Sequence, residues 1–75
     1  MDLQKQFGLR VKELRLKSGI SQEALAFKAG IDRTYMTGVE NGKRNVSIKN
    51  IGKIIKALET SVPEFFNSKL LDSHE

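Results

Sequence analysis

The sequence predicts an all-α fold of five short helices. Apolar residues recur at three- and four-residue spacing in every segment between turns. Nothing alternates with period two for long enough to argue a strand. Gly, Asn-Gly, Ser, Asp and Pro stand where those segments begin or end.

Residues 3–17 place Leu3, Phe7, Val11 and Leu14 on one helix face, with Lys5, Arg10, Lys12 and Lys17 on the other sides. Gly19 sits where a left-handed residue closes a helix. Ser21 opens the second helix as N-cap. Gln22, Glu23 and Ala24 form its first turn, Leu25, Ala26 and Ala29 its buried side, and Gly30 its end. Asp32 caps a third helix over 33–41, with Met36 and Val39 inward, and Asn41-Gly42 stops it. Ser47 caps a fourth, carrying Ile48, Ile51, Ile54, Ile55 and Leu58. Pro63 fits the first turn of a fifth, whose apolar residues are Phe65, Phe66, Leu70 and Leu71. Only Ser73, His74 and Glu75 read as frayed.

Composition narrows the function. With 75 residues the chain forms one domain, 1–75, which buries only about 60% of the surface its unfolded form exposes. It has no Cys, which removes disulfides, thiolate catalysis and Cys-based zinc sites. Its single His lies at position 74, so a His metal cage or a Ser/His triad is not expected. No metal, cofactor or small-molecule ligand is expected. No apolar run approaches the roughly 20 residues of a membrane span, and no secretion signal opens the chain, so a cytoplasmic location is expected. The net charge is +4 and unevenly spread. Residues 1–58 hold twelve Lys/Arg against five Asp/Glu, a balance of +7, whereas 59–75 hold Lys69 against four acids, a balance of −3. A basic body with a mildly acidic end suits a polyanionic partner for the first part and another task for the last.

Two short helices joined by a Gly-containing turn suggest a helix-turn-helix over residues 21–41. Counting from Gln22, the fourth residue is Leu25, the fifth the small Ala26, the ninth Gly30, the tenth Ile31, the fifteenth Met36 and the eighteenth Val39. Closely crossing helices need a small residue at 26. The tight turn needs positive φ at 30, which Gly adopts freely. The later apolar residues pin the second helix and leave its opposite side free.

The string ISQEALAFKAGIDRTYMTGVENGKRNVS, residues 20–47, resembles the DNA-binding domains of phage repressors and Cro-like regulators, the lambda-repressor-like type of five-helix bundle. The substring DRTYMTGVENGKRN, residues 32–45, resembles more particularly the controller proteins of restriction–modification systems, small dimeric regulators without a ligand domain. The resemblance implies double-stranded DNA as partner. Arg33, Thr34 and Thr37 are then the base readers, because a recognition helix enters the major groove N-terminal end first. Arg33 suits the O6 and N7 of guanine, and the threonines offer a hydroxyl or a methyl. Backbone contacts are expected from Gln22, Tyr35, Asn41, Lys43, Arg44, Asn45, Ser47 and Lys49. Gly38 stands where relatives often carry a longer polar side chain. Arg15 and Glu40 are expected to pair structurally, without touching DNA. The plainer alternatives are a solvated arginine at a helix start, packed or solvated threonines, a Tyr35 packed on the neighbouring turn, and a solvated loop over 41–45.

One such module contacts too few base pairs to select a site, so a homodimer on a pseudo-palindromic operator is expected. Helices four and five, residues 47–71, carry more apolar residues than one small core needs. Ile48, Ile51, Ile55, Phe65 and Phe66 are the expected interface residues, with packing of both phenylalanines in the protomer's own core as the alternative. The expected function is a controller that binds DNA upstream of its own operon and activates, represses or both. A DNA-binding antitoxin and a phage or mobile-element repressor would use the same domain. A small nuclease is disfavoured, because the carboxylates are scattered singly and Glu23, Asp32 and Glu40 are committed to caps and a pair.

Overall fold

Each helix of the computed structural model, which describes residues 2–71, begins on a side chain that satisfies its free N–H groups. Asp2 accepts from the Lys5 N–H (3.1 Å) at α1, Leu3–Ser18, and Ser21 from the Ala24 N–H (3.0 Å) at α2, Gln22–Ala29. Asp32 accepts from the N–H groups of Thr34 and Tyr35 (2.9 and 3.3 Å) at α3, Arg33–Glu40. Ser47 and Ser61 do the same, each at 3.1 Å, for α4, Ile48–Ala57, and α5, Val62–Phe66. Such a cap typically contributes about 1 kcal/mol. Among the described residues there is no strand. Ser73, His74 and Glu75, expected to fray, lie outside the described residues.

The turn between α2 and α3 takes the form that Gly30 allows. At φ 68° its N–H donates to the Phe27 carbonyl (3.2 Å), while that of Ile31 reaches the Ala26 carbonyl (2.9 Å). This is a Schellman closure, and it fixes the angle at which the chain enters α3. Leu25, Ala26 and Ala29 from α2 and Met36 and Val39 from α3 are buried with Val11, Ile54 and Phe65 in one core. α1 packs on α3, α2 on both α3 and α4, and α4 on α5.

The structure corrects four expectations. Arg10 does not lie on the solvent side of α1. It is buried, and its guanidinium donates to the carbonyls of Phe65 (2.7 Å) and Glu64 (2.9 Å) and to Glu13 (2.8 Å). Those two carbonyls are the ones a longer α5 would need for its next turn. The fifth helix therefore ends at Phe66, and Leu70 and Leu71 fall in a 3-10 turn, Lys69–Leu71, that packs on α1. Leu3, placed on the inward face of the first helix, is 58% exposed, because the loop at Gly42 meets the first turn of α1 at Lys5 and leaves Leu3 in an open groove. Ile55 and Phe65, expected at a dimer interface, are sealed in the protomer's own core at 4% and 0% exposure. Phe65 meets the Phe7 ring at 5.2 Å between centroids and so has no surface to offer a second chain.

Candidate nucleic-acid interface

α3 is held by one edge. Met36 and Val39 are fully buried, and Glu40 is 4% exposed. The opposite edge carries the exposed Thr34, with Arg33 exposed at the first turn of the helix and Thr37 half-buried beside them. Two glycines outside α3 set its position. A Cβ at Gly8 would stand 2.2 Å from the Val39 carbonyl oxygen and 2.9 Å from that of Glu40, so α1 meets the end of α3 backbone to backbone. At Gly42 the φ is 72°, and a Cβ would stand 2.8 Å from the Lys5 Cα. Side chains at these places would push the rod outward.

A buried polar chain runs from α1 to the exposed edge of α3. Arg15 donates from Nε to Glu40 Oε2 (2.6 Å) and from Nη2 to Oε1 (3.1 Å), and from Nη1 to the Ile20 carbonyl (2.9 Å). Gln22 Nε2 donates to Glu40 Oε1 (3.0 Å), and the Thr37 hydroxyl donates to Gln22 Oε1 (2.9 Å). The chemistry of the donors fixes every direction. A carboxylate paired with Arg15 only accepts, so the amide nitrogen of Gln22 must face it. Its carbonyl then faces Thr37, and Thr37 must give up its proton. The Thr37 hydroxyl is left with lone pairs only. It can accept from an exocyclic amine of adenine or cytosine, or lay its methyl against thymine, and it cannot donate to a phosphate.

The same architecture recurs in known proteins. A family model described as helix-turn-helix matches residues 11–65. The control protein C.BamHI of Bacillus amyloliquefaciens is 55% identical over 53 residues, which cover 69% of this chain and 65%, just under two thirds, of that protein. The control protein C.MunI of a Mycoplasma species is 43% identical over 67 residues, covering 88% of this chain and 90% of that one. This chain belongs to the helix-turn-helix control proteins. The crystal structure of the restriction–modification controller protein C.AhdI from Aeromonas hydrophila superposes on this control protein with a TM-score of 0.79 at 52% identity, covering 83% of this chain and 94% of that one. The controller C.Esp1396I, solved as a tetramer with its natural 35 base-pair operator, superposes with a TM-score of 0.84 at 41% identity over 88% and 87% of the two chains.

The expected backbone contacts of this control protein separate into two groups. Asn41, Lys43, Arg44, Asn45, Ser47 and Lys49 are exposed around the end of α3 and the start of α4. Gln22 and Tyr35 are half-buried and already engaged. One amide hydrogen of Gln22 is held by Glu40, and the Tyr35 ring lies 4.8 Å from the Arg44 guanidinium carbon. Part of the exposed apolar surface lies in an open groove lined by Leu3, Phe7, Val46, Ile51 and Phe66 together with Arg44 and Asn45, while Phe27, Leu16 and Val62 are exposed outside it. Ile48 is 84% exposed and Phe66 43%. Sequence reading missed the part Gly8 plays. The only trace it leaves is a glycine inside an otherwise good helix, which signals a close approach without naming what approaches.

Proposed function

We infer that this chain is a dimeric, sequence-specific DNA-binding transcription regulator of the restriction–modification control class. It binds a pseudo-palindromic operator upstream of its own operon, and activates, represses or both from that site. It works in the cytoplasm without catalysis or cofactor. The observation that carries the reading is the two-sided character of α3: one edge sealed by Met36, Val39 and Glu40, the other offering Thr34, with Arg33 exposed at the first turn. Arg33, Thr34 and Thr37 read bases. Gln22, Tyr35 and the polar residues from Asn41 to Lys49 hold phosphates. Ile48, Ile51 and Phe66 meet a second copy, which sets two reading helices about 34 Å apart.

Footprinting on the DNA upstream of the gene, at several salt concentrations, tests this. The reading expects a protected pseudo-palindrome, and an affinity that falls on the order of a thousandfold between 50 and 200 mM salt. Arg33→Ala should relax preference at one position in each half-site by about 1–3 kcal/mol. Uniform weakening on all sequences would remove Arg33 from the readers. Cleavage of plasmid in the presence of magnesium would sink the regulator reading itself.

A further inference from the structure

Five of the six glycines have a reason inside the chain. Gly19, Gly30 and Gly42 adopt positive φ. A Cβ at Gly8 would strike the Val39 carbonyl oxygen, and one at Gly38 would stand 3.0 Å from Cγ of Arg44. Gly52 has neither reason. It lies inside α4 with φ outside the positive range, and a Cβ there would meet no atom of the described residues within 4 Å. Glycine is the poorest helix former after proline, so α4 is weakened with no return inside the protomer. A glycine placed in this way fits a close approach from outside.

The faces of α4 say what approaches. Ile54 and Ile55, with Leu58 at the C-cap, fill the protomer's core, whereas Ile51 is half-buried and Ile48 is 84% exposed. By helical spacing Ile55, Ile48 and Gly52 follow one another around the helix, and Lys56, Lys49 and Lys53 come after them. The apolar side of α4 thus runs on past the core and ends in bare backbone. On its other flank, Ile51 joins it to the groove of Leu3, Phe7, Val46 and Phe66. Side chains on a helix lean toward its N-terminus, so Ile48 leans away from Gly52 and leaves it uncovered.

We propose that Gly52 is the point where α4 of one copy crosses α4 of a second, with the Ile48 side chain of each copy seated on the bare backbone at the partner's Gly52. The inference rests on the dimer proposed above and names its crossing point. A two-fold interface is isologous, so a knob and the hole that takes it must lie on the same surface. Ile48 and Gly52, one turn apart on one stripe, are such a pair. A partner of different sequence would call for only one of the two. With no side chain between them, the helix axes approach to about 8 Å, the close end of helix packing. Lys49, Lys53 and Lys56 then stand at the rim, where salt screens their mutual repulsion.

Melting and sedimentation of Gly52→Ala, Gly52→Leu, Ile48→Ala and the double variant Ile48→Ala/Gly52→Leu test this. At concentrations where the protein is monomeric, Gly52→Ala should melt about 4–8 °C higher, because the site is open and alanine is the better helix former. Association should respond in the opposite sense. Gly52→Leu should weaken the dimer about tenfold or more, since overpacking acts twice in a symmetric interface. Ile48→Ala removes the knob that the new leucine strikes, so the double variant should dimerise no worse than Gly52→Leu alone. In a mixed dimer of isotope-labelled and unlabelled chains, the δ-methyl group of Ile48 should show an intermolecular nuclear Overhauser effect to the α-protons of the partner's Gly52. An unchanged or tighter dimer in Gly52→Leu overturns the proposal, even where that variant binds operator less well. So does a double variant in which the two losses multiply. A wild-type protein that stays monomeric both free and on its operator would show instead that the underlying dimer fails, and this inference with it.

Discussion

Replacing Glu40 by Ala removes the anion on which the buried polar chain converges. Its side chain is 1% exposed and that of its partner Arg15 is 10% exposed, so water does not take over when one partner is lost. Breaking a buried pair in this way costs about 3–5 kcal/mol, because a charge stays behind without its counterpart. A domain of this length has a total stability of roughly 4–11 kcal/mol at typical values per residue. Glu40→Ala should therefore remove about a quarter of the stability or more. In urea, with a slope of about 1 kcal/mol/M for a small domain, the midpoint should fall by about 3 M or the folded baseline should vanish. Protein concentration must be held constant, since the proposed dimerisation would add its own stability. Raising salt from 0.1 to 1 M should leave the loss nearly unchanged, because buried pairs are weakly screened. The double variant Arg15→Met/Glu40→Leu should recover most of the midpoint, as apolar replacements of buried pairs often do. It should not recover operator affinity, because Gln22 then lacks the acceptor that orients it and Thr37. A loss below about 1 kcal/mol for Glu40→Ala would refute the reasoning and rank the pair with surface ion pairs.

Gly8→Ala should lower the melting temperature although Ala is the better helix former. The clash with the Val39 and Glu40 carbonyls costs roughly 1–3 kcal/mol as overpacking, against a helix gain of about 1 kcal/mol. A raised melting temperature would mean that α1 and α3 separate freely. Arg10→Met should destabilise by about 2–4 kcal/mol in urea, since two charge-assisted bonds hold the end of α5. Unchanged stability would show that α5 docks by Phe65 alone. Phe66→Ala should weaken the dimer at least tenfold by sedimentation while leaving the protomer folded. An unchanged dimer constant removes Phe66 from the interface.

Much of this fold is legible in the sequence because its signals are local. Gly19, Gly30 and Gly42 all adopt positive φ, and Ser21, Asp32, Ser47 and Ser61 all cap the helices they precede. A cap or a turn acts on residues within four positions, which is the range that a sequence pattern reports. What could not be read is set by contacts across the chain. Arg10 looks like any helix-surface arginine until α5 brings two carbonyls to it from more than fifty positions away. Phe65 and Phe66 are neighbours of equal hydrophobicity, yet one is fully buried and the other 43% exposed, because Phe65 is the one that meets Phe7 and Arg10 of α1. The candidate site divides the same way. The exposure of Thr34 follows from the spacing of Met36 and Val39, whereas Arg33, three residues before Met36, is exposed through its place in the first turn of α3. The direction of the Thr37 proton follows only from the chain through Gln22 and Glu40 to Arg15, which joins three helices.

The proposed function requires the outer edge of α3 to lie in the major groove. Intermolecular nuclear Overhauser effects on the operator complex measure that directly. The methyl groups of Thr34 and Thr37 and the δ-protons of Arg33 should show contacts to major-groove protons, namely thymine methyls and the H5 of cytosine. Operator-induced changes confined to α4 and α5, with these α3 side chains silent, would contradict it.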